Sequence, residues 1–396
     1  MADVVLHVGL PKTGTTSIQS ALERHAQELA DVGVLFPGGR HHAHRLAAYD
    51  LLGQRVQGDD HGAVAGAFAR LVTEIDGYDG DRVVVSEEEL GIARPRHVRR
   101  VAQALQRHRL FVVIGVRDLG RTLVSAWQQG VLMGSTASWR DFIEAVRDPE
   151  YGDLRVGTSF RLRHDPLRVL DVWGTCVPTE RIALFTVPPP GSSAQLLLER
   201  FADAAGLPFL HAADSDVRRN SSPGPAEVEA VRRLNASVVG PLSQRDYRFV
   251  VERGIRPGLN ASRSRPLQLS RDELGWVQSR SDALVAEISS RGHRVHGDLQ
   301  DLQPTEAIAS TRGPDDVATD ELLAATEATV VSLALALGSL NKRYRRSLSS
   351  APEHHAKAAE RVASSTRAAA FRLQKAALSH ARHNRLLKRA IRSYLR

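Results

Sequence analysis

The chain has 396 residues, 42% hydrophobic and 25% charged, the balance of a soluble globular protein with room for one large domain and appendages, or for two domains. Nothing approaches eighteen consecutive apolar residues, no basic stretch precedes the first apolar run, and the single cysteine, Cys176, excludes an internal disulfide. No membrane-spanning helix and no signal peptide are therefore expected, and a cytoplasmic setting is. The net charge of +8 is uneven: residues 341–396 hold 15 Lys/Arg against 2 acids, a net of +13, which leaves −5 for the other 340 residues.

Four short β-rich runs stand out in chain order, at residues 3–9, 82–88, 110–117 and 181–187. Three are continuous Val/Ile/Leu runs, the pattern of strands buried on both faces. Helical patterns lie between them. "TTSIQSALERHAQELADVG" sets Ile18, Leu22, Ala26 and Leu29 on one stripe and ends at Gly33. "RPRHVRRVAQALQRH" and "GRTLVSAWQQGVLMG" repeat the theme, so βαβ units around a parallel sheet of about four to five strands are expected. Past Val187 the chain reads as helical, with an amphipathic helix closed by Gly292, a boundary near 303–316 and an apolar helix near 319–341. The expected division is an α/β domain over 1–310 and a helical, basic extension over 311–396. Cys176 sits in apolar sequence and is read as a packed thiol.

The first strand runs into "LHVGLPKTGTTSIQ", which nearly spells a nucleoside-triphosphate loop but has Thr15 where that loop's lysine belongs. A glycine-containing turn between a buried strand and a helix presents backbone N–H groups and the positive helix end to an oxyanion. Gly14 allows close backbone approach, Thr15 and Thr16 add hydroxyl donors, and Lys12 adds a charge able to follow a leaving oxygen. A sulfuryl group carries less charge than a terminal phosphoryl group, so one lysine and backbone amides suffice for it without magnesium. The third strand ends in "VIGVRDLGRTLVSAWQQG": Arg117 stands at the strand edge where ligands of parallel sheets bind, and Ser125 follows on the next helix.

Together these segments resemble the sulfotransferases that use 3′-phosphoadenosine 5′-phosphosulfate (PAPS). "PKTGTT" after the first strand resembles their 5′-phosphosulfate loop, and Arg117-x7-Ser125 resembles their 3′-phosphate element. Leu119 stands where the family often has proline, a change expected to alter the turn more than the binding. The resemblance spans about residues 3 to 310, including "RRNSSPGP" and "HGDLQDLQP", and implies a P-loop-like three-layer core. By its implication, Pro11, Lys12, Thr13, Gly14, Thr15 and Thr16 hold the 5′-phosphosulfate, Arg117 and Ser125 hold the 3′-phosphate, and no metal is required.

Sulfuryl transfer to an alcohol needs a proton acceptor. In the family it lies at the end of the second strand, here "RVVVSEEELG". Aligning strand ends puts Glu87 on the site and alternation sends Glu88 the other way, with Glu88 as second choice. His41, His42 and His44 in "RHHAHRL" are the rival source; without cysteines or an acidic cluster beside them they read as a helix start over the acceptor site rather than a metal centre. Arg121 caps a helix or reaches solvent, and Trp127 reads as core before adenine stack. Asn220 and Ser221 either close over the cofactor or cap a helix.

The chain is thus expected to transfer a sulfuryl group from PAPS to a hydroxyl of a carbohydrate, glycolipid or small molecule, in line, with Lys12 and Glu87 as catalytic groups. Residues 36–62 and 128–165 are expected to help build the acceptor pocket. The rivals are an ATP- and magnesium-dependent small-molecule kinase, and a non-catalytic module of the same fold. The terminal "HNRLLKRAIRSYLR" forms a basic amphipathic pattern suited to the inner face of a membrane, to the acidic body or to self-association; nucleic acid is not expected.

Overall fold

The computed structural model describes all residues except 55–60, 149–154, 213–222, 262–263, 306–308, 311 and 350–396. Asn220, Ser221 and the terminal basic segment lie outside the described residues. The chain divides into two compact units: Met1–Gly130, Ala137–Ser222 and Pro266–Asp316 form the first, and Val131–Thr136, Pro223–Arg265 and Val317–Arg396 the second.

The first unit opens with β1 (Asp3–His7), α1 (Thr15–Arg24), α2 (Ala26–Asp31), β2 (Val34–Leu35), α3 (His41–Leu52), α4 (His61–Val64) and α5 (Ala67–Asp76). It continues with β3 (Arg82–Ser86), α6 (Pro95–Ala104), β4 (Arg109–Val116), α7 (Leu119–Leu132), α8 (Trp139–Arg147), α9 (Arg155–His164), α10 (Pro166–Gly174), β5 (Ile182–Thr186) and α11 (Ala194–Ala205). In the second unit lie α12 (Pro225–Val238), α13 (Gln244–Val250) and α14 (Arg256–Ala261). The chain ends, as described, through β6 (Leu269–Ser270), α15 (Arg271–Ser290), β7 (Arg294–His296), β8 (Ala309–Ser310) and α16 (Thr319–Ser349).

Six strands form one parallel sheet in the order β2-β3-β1-β4-β5-β7. The fold is α/β, and the four long strands fall within a residue or two of the expected runs. The sheet exceeds the expected four to five strands through β2 and β7, which have two and three residues and carry no periodicity of their own.

Alternation along the strands sorts the core into two layers. Val4, Leu6, Val83, Val85, Val112 and Ile114 face a cluster completed by Ala47, Ile75, Val98, Leu170 and Trp173 from α3, α5, α6 and α10. Val5, Val84, Val113 and Phe185 face Ile18, Leu22, Leu198 and Phe201 from α1 and α11. Helices thus cover both faces, which is why the strands read as unbroken apolar runs. Cys176 packs half-buried against the first cluster.

The helix expected to run from residue 15 to Gly33 breaks at His25. The His25 ring packs edge-on against Phe209 at 5.8 Å and its Nδ1 meets Glu28 at 2.9 Å, contacts that hold the break.

The second unit is helical. α16 lays Ala325, Thr329 and Ser332 against α12 and α14, and Gly258 makes the approach possible: a Cβ there would lie 2.6 Å from the Ala328 carbonyl oxygen. A buried polar network ties the start of this unit together. Asn235 donates to the carbonyls of Val131 (2.7 Å) and Ser135 (2.8 Å), and the Tyr247 hydroxyl donates to Asn235 Oδ1 at 2.7 Å. Burial pushes the Tyr247 phenol up to about 12.

By length and composition, Thr319–Ser347 is apolar enough to cross a membrane, with mean hydropathy 1.6. Glu327 divides the stretch, so it contains no uninterrupted apolar run of that length. Val330, Val331, Leu335 and Leu337 on this helix are exposed.

Candidate active site

The winding of the sheet changes direction beside β1. The chain leaves β1 for β2 and β3 on one side, then leaves β4 for β5 and β7 on the other. The crevice at the carboxyl ends of β1 and β4 is where ligands of such sheets bind, and it holds the loop of residues 8–14.

That loop is pinned to β4 by its backbone: Gly115 N–H donates to the Gly9 carbonyl at 3.0 Å and Val8 N–H to that of Val113 at 3.1 Å. The Thr13 hydroxyl, fully buried, donates to the Leu10 carbonyl at 2.6 Å and so braces the turn from within. Gly115 is what lets the loop lie so close, since a Cβ there would sit 2.8 Å from Thr13 Oγ1 and 2.6 Å from the Phe185 ring.

Lys12 (φ 71°) and Gly14 (φ 83°) are left-handed, on either side of Thr13. Such alternation turns successive amides toward one side, the geometry of an anion nest, and left-handed backbone at a non-glycine residue is a strain held at functional sites. α1 starts at Thr15 directly after the nest, so its first amides and its dipole point the same way.

Arg117 follows β4 and reaches this loop, its guanidinium donating to the Lys12 carbonyl at 3.0 Å. Its Nε is buried with no protein partner among the described residues. Burial, and then the charge of Arg121, hold its ionisation down to about 10, so it is a cation at neutral pH. The structure therefore joins the two elements that the sequence separates by a hundred residues. Ser125 stands half-buried on α7, two turns from its start.

Pro11 is half-buried in the loop and Thr16 is exposed at the head of α1. Arg121 pairs with Asp118 and donates to the Pro188 carbonyl at 3.1 Å, fixing the turn after β4 to the chain leaving β5. Trp127 is core: it is 2% exposed, edge-on to Trp139 at 5.6 Å, and its Nε1 donates to the Ala137 carbonyl.

At the end of β3 three carboxylates meet the loop. Glu87, buried, accepts from the Glu89 N–H at 3.1 Å and pairs through Oε2 with His41 Nε2 at 2.9 Å. Glu88 Oε2 accepts from the Thr15 hydroxyl at 2.7 Å. Its carboxyl is pushed up by burial and by Glu87 and Glu89, against the Thr15 hydrogen bond and the Lys12 charge. Alternation would have turned Glu88 away, but β3 ends at Ser86 and a 3₁₀ turn over Glu88–Ile92 follows, which brings Glu87 and Glu88 to one cavity. Glu89 pairs with Arg163 at 3.1 Å.

The cavity holds about 380 Å³, and its wall includes Thr15, Thr16, Glu23, His41, Tyr49 and Glu87. Among the described residues no aliphatic side chain lines it. The three histidines of residues 41–44 have separate tasks. His44 is buried, with Nε2 donating to the Pro37 carbonyl at 2.8 Å and Nδ1 accepting from Ser86 N–H at 3.2 Å; burial pulls it down to about 4. His42 contacts Arg45 on the outer side, and His41 alone meets a carboxylate of the site. Among the described residues no group of three or more His, Cys, Asp or Glu is arranged as a metal site.

Two residues beside the site carried no sequence signal. His164, at the end of α9, is held down to about 4 by burial and then by the charges of Arg163 and the loop lysine, Lys12. Arg163 is its neighbour on the same helix. The site groups they act on, Glu89 and Lys12, lie more than seventy residues earlier in the chain, and only a pattern across relatives could have marked them.

No family model matches this chain, and no curated protein matches it. Among solved structures it is similar to a sulfotransferase from Alicyclobacillus acidocaldarius, at 16% identity and a TM-score of 0.35, over 62% of this chain and 98% of that one.

Proposed function

We propose that the chain is a sulfotransferase that takes its sulfuryl group from PAPS and passes it to a hydroxyl. The observation that carries this reading is the contact of Arg117 with the Lys12 carbonyl, with Arg117 Nε buried and without a partner among the described residues. It sets a forked cation directly beside the anion nest of residues 12–14, as a nucleotide with both a 5′-phosphosulfate and a 3′-phosphate requires.

The donor set fits that group. The amides of residues 13–16 and the start of α1 would hold the sulfuryl end, and Arg117 with Ser125 the 3′-phosphate. PAPS, when bound, supplies an activated sulfuryl group. Lys12 would balance the charge that develops on the departing bridging oxygen, and its left-handed backbone shapes the loop that carries it. The proton of the acceptor goes to the group at the end of β3 that joins Glu87 and His41. A cavity whose described lining is hydroxyl, carboxylate, imidazole, phenol and other polar groups favours a hydroxyl-rich acceptor such as a carbohydrate. The net +13 of residues 341–396 supports contact with an anionic membrane surface in a cytoplasmic setting.

The test is turnover of PAPS by the full chain without magnesium, read as release of adenosine 3′,5′-bisphosphate. Lys12→Ala should slow it by about 10²-fold or more, the usual cost of removing one charge-stabilising donor. Magnesium-dependent consumption of ATP in place of PAPS would favour the kinase reading.

A further inference from the structure

We propose that His41 is the group that takes the acceptor's proton, and that Glu87 acts through it as a positioning residue. This assigns roles within the sulfotransferase reading and rests on it.

Both oxygens of Glu87 are occupied: Oε1 accepts from Glu89 N–H at 3.1 Å and Oε2 faces His41 Nε2 at 2.9 Å. The Glu87 side chain is 2% exposed against 23% for His41, so a hydroxyl meets the imidazole before it meets the carboxylate. A carboxylate can only accept, so the hydrogen between them belongs to Nε2. Nδ1 is then the ring nitrogen with the lone pair, and it has no protein partner among the described residues. A carboxylate that fixes one ring nitrogen as the donor and leaves the other as the base is the working arrangement of histidine general bases.

The ring's carrier is fixed as well. His41 opens α3, and its N–H donates to Glu23 Oε1 at 2.6 Å. The charged and titratable groups around it are Glu23 from α1, His42, His44, Arg45 and Tyr49 from α3, and Glu87, Glu88 and Glu89 after β3. Glu23 is committed to the His41 N–H, Glu88 to Thr15 and Glu89 to Arg163, while His44 has both ring nitrogens bonded to backbone. His41 is the base that remains.

In the step, the acceptor O–H proton moves to His41 Nδ1 while the oxygen's electron pair forms the new O–S bond. The sulfur–bridging-oxygen bond breaks, and its electrons stay on adenosine 3′,5′-bisphosphate beside Lys12. The imidazolium left behind is balanced by Glu87.

Two measurements on the full chain test this. In ¹⁵N–¹H spectra of histidine-labelled protein, His41 should be the Nε2–H tautomer, and Glu87→Gln should disturb that preference. With PAPS as donor and water as acceptor, His41→Ala should release the bisphosphate about 10²–10⁴-fold more slowly, the range of a lost general base. Added imidazole should restore at least about tenfold of that loss in His41→Ala and nothing in Glu87→Gln, with bisphosphate affinity within about twofold of wild type in both. An Nδ1–H tautomer overturns the proposal, as does a His41→Ala variant at wild-type rate beside an inactive Glu87→Gln, which would make Glu87 itself the base. A wild-type chain that neither binds the bisphosphate nor consumes PAPS overturns the sulfotransferase reading, and this assignment with it.

Discussion

His7 ends β1 with its ring fully buried, Nδ1 on Ser86 Oγ at 2.8 Å and the Phe201 ring 5.0 Å away. Burial pulls it down to about 3, and His44 and His164 down to about 4. Each of these groups is neutral in the fold and binds a proton in the unfolded chain below the ordinary imidazole range, near pH 6.5. The unfolded state therefore holds more protons between about pH 6.5 and the folded values, and stability falls as pH falls through that window. The slope should be about 1.4 kcal/mol per pH unit for each histidine. Urea unfolding at pH 7 and pH 5 checks this: His7→Phe should flatten the dependence, and equal midpoints for the wild-type chain at both pH values would contradict it.

Between elements, the decisive approach is that of the loop after β1 to β4 at Gly115. Gly115→Val would drive a side chain into Thr13 and Phe185 and should cost about 1–3 kcal/mol, the usual penalty of overpacking. The loop would move with it, so bisphosphate affinity should fall along with the thermal midpoint. A stable variant with unchanged affinity would show that the loop does not need this contact. The same elements explain what could be read from sequence. Long apolar strands and the glycine turn are local signals, so β1, β3, β4 and β5 and the loop of residues 9–16 were legible. β2 and β7 were not, because two and three residues cannot show a period. The Arg117 element was legible as a motif, but its bond to Lys12 depends on strand order. The pairing of His41 with Glu87 joins residues 46 apart and hangs on where β3 stops, which alternation alone misjudged for Glu88. Arg163 and His164 reach the site through tertiary packing and had no local signal.

At the scale of the whole molecule, charge is divided along the chain: −5 for the first 340 residues and +13 for the last 56. Binding of the full chain to phosphatidylserine vesicles should therefore be measurable at low salt and fall steeply above physiological ionic strength. Removal of residues 350–396 should abolish most of it, and retained binding would move the contact to the exposed apolar residues of α16. The central claim is that the crevice beside β1 and β4 takes a nucleotide with a 3′-phosphate, and calorimetry with adenosine 3′,5′-bisphosphate tests it most directly. The account predicts that the bisphosphate binds at least about tenfold more tightly than AMP, and that Arg117→Ala removes that preference, a loss of about 1.5–3 kcal/mol for a charged hydrogen bond. Equal binding of the bisphosphate and AMP, or no binding of either, would contradict it.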